Sequence, residues 1–306
     1  MAGAPDKRDV LGTLLLGLLA GHRRYAHITA LRGDAVAAQA LGMNKVVSED
    51  ALRRALERID EAASTAWLRP SLMHSVREAL DRPWVLDIDA SIKPLYGRQE
   101  GAEIGYNPTK PMRPSHVLHT FLVSNLRLVL DVQVSSGKQH TSGHAKTALG
   151  RLLDELGERR PALVRGDSGY GNEGILLTLE ERAQPYLLRL GQTRNVQRLV
   201  AQQFARTDWS RADSQGCQMV EAQLRLHGWS KTRRVVIVRQ RVPRRTSRVS
   251  GAWMTGSCGW TWRARACMRA SGCGSTRCSS PIWSTRWSRS RSSTATAPMP
   301  RTPSTS

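Results

Sequence analysis

Val85–Ser91 reads VLDIDAS, a short apolar run broken by two carboxylates. Side chains alternate between the faces of a strand, so Asp87 and Asp89, two apart, share one face. Their neighbours Val85, Leu86, Ile88 and Ala90 are apolar. Carboxylates in such company are costly unless a metal or a partner compensates them. The run is therefore expected to be a strand that carries chemistry. Pro83 stands just before it and ends a helical stretch, which marks a boundary.

Downstream, a polar, glycine-containing loop runs to Pro114, and two further strands are expected at Val117–Val123 and Leu126–Val134, joined about Ser124-Asn125. Helical periodicity follows over Thr141–Glu158 through Ala145, Leu149, Leu152, Leu153 and Leu156. Ala162–Arg165 is a fourth strand ending at Gly166-Asp167, Glu173–Arg182 a helix and Tyr186–Leu190 a fifth strand. The order β-β-β-α-β-α-β defines an α/β chain with a ribonuclease-H-like topology. Strands one and four are adjacent in that topology, which predicts that Asp89 and Asp167 converge at one end of the sheet. Gly166 and Gly169 allow a tight, exposed turn at Asp167.

Two or three carboxylates offer hard oxygen ligands, the kind Mg²⁺ prefers while it keeps open positions for phosphate oxygens. Two such ions about 3.5–4 Å apart can activate a water or a 3′-hydroxyl and stabilise the leaving oxygen of a phosphodiester. The expected metal ligands are Asp89, Asp167 and Asp87, with Asp89 and Asp167 catalytic. Two alternatives stay open: Asp167 as a simple Asx turn before a helix, and Asp87 as a structural acid beside Asp89.

Upstream, residues from Val10 to about Arg82 are expected to be helical, with apolar spacing through Leu11, Leu14, Leu15 and Leu18 and again through Leu52, Leu56 and Ile59. Ser48, followed by Glu49 and Asp50, is a helix start for Ala51–Ala63: its hydroxyl can cap free N–H groups, and the acids favour the positive end of the helix dipole. A short helix, the loop Gly42–Val47 and this capped helix have helix-turn-helix spacing, which any helical hairpin shares.

The chain has 306 residues, 46 Lys+Arg, 25 Asp+Glu, a net charge of +21 and five cysteines. Five cysteines without a signal-peptide pattern exclude a disulfide-stapled secreted scaffold. The apolar run Val10–Ala20 is too short to span a bilayer, so a membrane protein is excluded. The charge points to a polyanion such as nucleic acid, but it is unevenly spread. Residues 244–306 hold 11 Arg, no Lys, Asp or Glu, no Leu or Phe, 14 Ser, five Trp and four Cys, so the first 243 residues carry only +10. A segment this poor in aliphatic residues is expected to be an unstructured Arg/Ser/Trp-rich tail through which no period of 2 or 3.6 can be drawn. Cys258, Cys267, Cys273 and Cys278 lack zinc-site spacing.

Back-translation explains this composition as reading in the wrong frame. Trp and Met have single codons, so the last base of one codon plus the first two of the next is partly fixed. Trp253-Met254-Thr255 must then encode Asp-Asp, Trp260-Thr261 Asp, and Met299-Pro300 Ala. Acidic residues reappear where the written chain has none, which predicts a frameshift near Arg244.

VLDIDAS, followed by YGRQEGAEIGYNP, LVRGDSGYGNEGILLTLEE and YLLRL, resembles bacterial insertion-sequence transposases with a DDE triad, of the DDE domain, group one, type. The resemblance covers about Leu11 to Pro243. It implies that Asp89, with Ser91 in an Asp-x-Thr/Ser context, matches the first catalytic aspartate and Asp167 the second. It further implies Mg²⁺, double-stranded DNA (element terminal repeats and target) as partner, room for a homodimer, and a cytoplasmic, nucleoid-associated setting. The family's third acid is a glutamate in a later Tyr-Arg-x-Arg…Glu helix. The written chain has none, but codon choices in the shifted frame give YRDRADAEN over Thr294–Thr302.

The expected domains are thus a helical, DNA-binding region at 1–82, an incomplete catalytic core at 83–243 and an out-of-frame tail at 244–306. The expected function is metal-dependent DNA cleavage and transfer, lost in this truncated copy. The alternatives are a non-catalytic DNA-binding remnant or a metal-dependent nuclease on the same fold. Tyr96, Gly97, Gln99, Glu100, Gly101, Gly105, Tyr106 and Asn107 form a loop that contacts DNA or is merely ordered surface. Lys93, Lys110, Arg113 and Lys138 suit a phosphate backbone equally well as solvent. His116, His119, His140 and His144 match no zinc signature, and the role of Lys231, Arg233 and Arg234 is open.

Overall fold

The computed structural model describes residues 5–138, 141–243, 254–255 and 260–269. They fall into two units that divide after Ala162.

The first unit opens with helices α1 (Lys7–Leu19), α2 (Ile28–Leu31), α3 (Ala35–Ala40), α4 (Glu49–Glu57) and α5 (Glu61–Val76). Val10, Ile28, Ala38 and Leu52 from α1 to α4, with Met43, Val46 and Val47 from the loop between α3 and α4, form an apolar cluster. The loop between α3 and α4 is pinned to α1: Asn44 N–H donates to Asp9 Oδ1 at 2.8 Å, and Val47 N–H to Thr13 Oγ1 at 3.0 Å. Ser48 caps α4 as expected, its Oγ accepting from Ala51 N–H at 3.2 Å. The helix expected to run to Ala63 instead stops at Glu57, because Asp60 starts a new one: its carboxylate accepts from Ala63 N–H at 2.8 Å.

Strands β1 (Val85–Pro94), β2 (Glu103–Ile104), β3 (Pro114–Val123) and β4 (Leu128–Ser136) and helix α6 (Thr141–Leu156) complete this unit. β3 pairs antiparallel with β1, β2 and β4. Alternation sorts the faces. Leu86 and Ile88 on β1 stand opposite Val123 and Phe121 on β3, and all four are buried. Asp87, Asp89 and Ser91 stand opposite Leu122, Thr120 and Leu118 on the other, half-buried face. Below β4, α5 and α6 meet at Asp131, which is 4 % exposed. Arg69 of α5 and Arg151 of α6 reach its two oxygens at 3.3 and 2.8 Å.

The second unit contains β5 (Leu163–Gly166), α7 (Glu173–Glu181), β6 (Tyr186–Arg189), α8 (Arg194–Gln203), β7 (Cys217–Leu224), β8 (Arg233–Pro243), β9 (Met254–Thr255) and β10 (Trp260–Arg269). β5 and β6 are parallel, β10 pairs antiparallel with β6 and with β8, and β8 pairs with β7. The order from β1 through β6 is that of a ribonuclease-H-like α/β core, with β2 as a two-residue addition. α8 and β7 carry too few apolar positions to stand out in the sequence; only Val196 and Val200 of α8 are buried.

β9 and β10 correct one expectation. They lie inside 244–306, where no regular structure was predicted. A period of two does run through Trp260–Arg269: Trp, Trp, Ala, Ala and Met alternate with Thr, Arg, Arg, Cys and Arg. Alternation with β-favouring residues suffices for a strand once neighbours supply the ladder. Met268 is fully buried. The rest of that stretch, with YRDRADAEN of the shifted frame, lies outside the described residues.

Candidate active site

Asp87 and Asp89 sit where alternation puts them, side by side on the half-buried face of β1, and neither is without a partner. The strand under them is fixed by the buried residues on its other face, which makes it a stiff carrier for carboxylates.

Asp167 is exposed, one residue past β5. Its Oδ1 accepts from Gly169 N–H at 2.9 Å and its carbonyl from Tyr170 N–H at 3.2 Å. The Asx turn is therefore present, and it fixes one carboxylate oxygen while the side chain faces solvent. Three residues on its C-terminal side hold the turn rigid. Tyr170 is 1 % exposed. Gly171 lies so close to β6 that a Cβ there would come within 2.9 Å of the Arg189 carbonyl oxygen. Asn172 caps α7, its Oδ1 accepting from Ile175 N–H at 3.2 Å.

The acids beyond Asp167 are almost all occupied. Arg233, 4 % exposed, binds both Glu173, at 2.5 Å, and Glu180, at 2.8 Å. Burial opposes ionisation of Glu173, but hydrogen bonds from Arg233 and Ser230 outweigh it and hold the carboxyl down to about 2. The same balance lowers Glu180, and burial with the Glu180 hydrogen bond pushes the Tyr186 phenol up. Asp208 is bound by Arg206 at 2.7 Å, Asp213 accepts from Gln215 and Cys217 N–H at 2.9 and 2.8 Å, and Glu221 pairs with Arg234 at 2.8 Å. The open question over Arg233 is thereby answered: it ties α7 to β8. Adjacent basic residues in the sequence hinted at a role but not at its partners.

Among the described residues the histidines form no metal centre. His119 is 1 % exposed on the buried face of β3, with Ser135 Oγ 3.4 Å from its Nε2. Burial, then the charge of His144, lowers its pKa. His116 Nε2 donates to the Glu100 carbonyl at 2.9 Å. His140 lies outside the described residues.

Residues 5–248 match the family described as transposase DDE domain, group 1. The chain belongs to this family. No curated protein matches it. Among solved structures, this group 1 DDE chain is similar to a piggyBac transposase synaptic complex with hairpin DNA, at 14 % identity over 87 % of this chain and 54 % of that one, TM-score 0.40. It is also similar to the Mos1 mariner paired-end complex with Mn, at 14 % identity over 61 % and 60 % of the two chains, TM-score 0.24. The Mos1 strand transfer complex matches at 12 % identity over the same shares. The chain thus spans about half to three-fifths of the structures it matches.

A DDE domain implies a divalent cation. Asp87 and Asp89 on β1, and Asp167 after β5, each carry the hard oxygen donors that such a cation prefers. They fall short of a full set: among the described residues, no three His, Cys, Asp or Glu side chains cluster as a metal site. Among the same residues no helix is long and apolar enough to cross a membrane.

Proposed function

We propose that this chain derives from a transposase that cleaves and transfers DNA strands at insertion-sequence ends, with Asp89 and Asp167 as catalytic carboxylates and Asp87 as an additional metal ligand. The observation that carries this reading is a carboxylate on the half-buried face of β1 and another on a locked turn after β5, in a chain of the DDE family. Bound Mg²⁺ would supply Lewis-acid activation of a water or 3′-hydroxyl and charge relief at the phosphate. Asp89 contributes oxygens from a stiff strand. Gly169 N–H holds one Asp167 oxygen and so orients the other. Lys93, Lys110, Arg113 and Lys138, all exposed, offer positive charge to a phosphate backbone. Double-stranded terminal repeats and target DNA are the substrates of this reading.

The same reading makes the written chain catalytically defective. Glu221 is its last acid, and it pairs with Arg234. No glutamate remains for the third position, which favours a DNA-binding remnant over an active enzyme. The frame change near Arg244 accounts for the loss.

Two experiments test this. The 306-residue protein is expected to retard a duplex carrying element ends without cutting it in Mg²⁺ or Mn²⁺; cutting would sink the defect. A chain translated in the alternative frame after about Arg244 is expected to cleave, and Asp89→Asn or Asp167→Asn to abolish that cleavage. Cleavage that ignores terminal-repeat sequence would favour the nuclease alternative.

A further inference from the structure

The connection between β1 and β3, from Leu95 to Arg113, is polar, exposed and yet firmly held. Leu95 N–H donates to the Pro114 carbonyl at 2.9 Å, and Glu103 and Ile104 pair with Ser115 and Pro114. Gly105 packs backbone to backbone on Gly137: a Cβ would lie 1.8 Å from the Gly137 carbonyl oxygen, so no other residue fits. Asn107 is 5 % exposed, and its Oδ1 accepts from Thr109 and Lys110 N–H at 3.1 and 3.0 Å. Tyr106 stands between these two anchored residues and is 79 % exposed. Its backbone is fixed by its neighbours while its ring is given to solvent.

The second tyrosine of the connection, Tyr96, is 67 % exposed and carries two cations on its ring, Lys110 Nζ at 5.3 Å and the Arg113 guanidinium at 4.7 Å from the centroid. No carboxylate among the described residues pairs with either cation. Lys93, Arg98 and Lys138 are exposed nearby in the fold, against two acids on the connection, Glu100 and Glu103. Glu103 is bound by the Ser136 hydroxyl. Met112, between the two cations, adopts a left-handed φ of 61°, a conformation that costs energy and tends to persist where a ligand uses it.

Single exposed tyrosines are common and need no explanation. Exposed aromatic rings on an anchored backbone, with cations that have no carboxylate partner on the same connection, are the combination that proteins use for single nucleic-acid strands, because every base has a π-face and every nucleotide a phosphate. The position suits the strand that Asp89 would act on. Lys93 shares the face of Asp89 four residues along β1, about 13 Å away at some 3.3 Å per residue, and the connection begins just beyond it.

We propose that the β1–β3 connection binds an unpaired stretch of DNA, with Lys110 and Arg113 taking phosphates and Tyr106 stacking on a base. The proposal rests on the DNA-processing reading above and adds the single-stranded character of what is bound here. The test compares Tyr106→Ala, Tyr106→Trp and Lys110→Ala in the full chain by fluorescence anisotropy. The probes are a single-stranded oligothymidine of about 12 nucleotides and a fully paired duplex of the same length, at several salt concentrations. Tyr106→Ala is expected to weaken single-strand binding about 5- to 150-fold, as stacking of one base implies. Duplex affinity and the salt dependence should stay as they were, and Tyr106→Trp should keep full affinity. Lys110→Ala should weaken both probes and lower the single-strand salt slope by about 0.7. Equal loss on both probes, or no loss, for Tyr106→Ala overturns the stacking role, as does unmodified protein that binds duplex but not single strand. Unmodified protein that binds neither overturns the DNA reading itself.

Discussion

Arg233 shows how much a single side chain can hold. Nearly all of it is buried, and its guanidinium satisfies two glutamates from one helix. Removing one partner of a buried charge set leaves the others uncompensated, so Arg233→Ala is expected to cost about 3–5 kcal/mol, read from denaturant unfolding. The pH dependence has a definite sign. Glu173 has its folded pKa depressed from 4.5 to about 2, so its contribution is fully present above about pH 4.5 and is lost as pH falls toward 2. Melting temperatures taken across that window should fall for the unmodified chain and fall less for Arg233→Ala. An equal slope in both would show that other groups set the acid limb. Asp167 poses the complementary case. Its Asx turn is local and could be read from Asp-Ser-Gly, yet the turn's rigidity comes from the burial of Tyr170 and from Gly171 meeting β6, which local sequence does not report.

At the level of elements, strands with one buried and one half-open face were the most legible. The alternation that put Asp87 and Asp89 together also put Leu86 and Ile88 in the core, because side-chain parity is a property of the strand alone. Helix ends were less so: Ser48 was found as a cap, whereas Asp60 lay hidden inside an apolar spacing that ran on past it. β10 is the least legible element of all. Its composition has almost no aliphatic residues, but its alternation is regular, and β6 and β8 give it partners on both sides. Met268 on this strand is fully buried, so Met268→Ala should lower the unfolding free energy by about 2–5 kcal/mol. An unchanged denaturation midpoint would mean that β10 does not pair in solution.

For the whole chain, charge is the quantity that acts over distance. Residues 244–306 carry 11 of the 46 basic residues and no acid, leaving +10 on the first 243. A chain ending at Pro243 is therefore expected to bind duplex DNA with a shallower dependence on salt, since fewer cations displace counterions. An unchanged slope would place all phosphate contacts before Arg244. By itself the sequence determined the order of elements from β1 through β6 apart from the short β2, the shared face of Asp87 and Asp89, and the membership that residues 5–248 carry, all of which depend on neighbours along the chain or on motif spacing. Only the tertiary structure decided that Arg233 takes Glu180 and Glu173, 53 and 60 residues away, and that Asp131 joins Arg69 to Arg151. It alone seated β10 between β6 and β8. The physical reason is common to all three: such contacts form between distant segments brought together by packing, and they leave no periodic mark on either one.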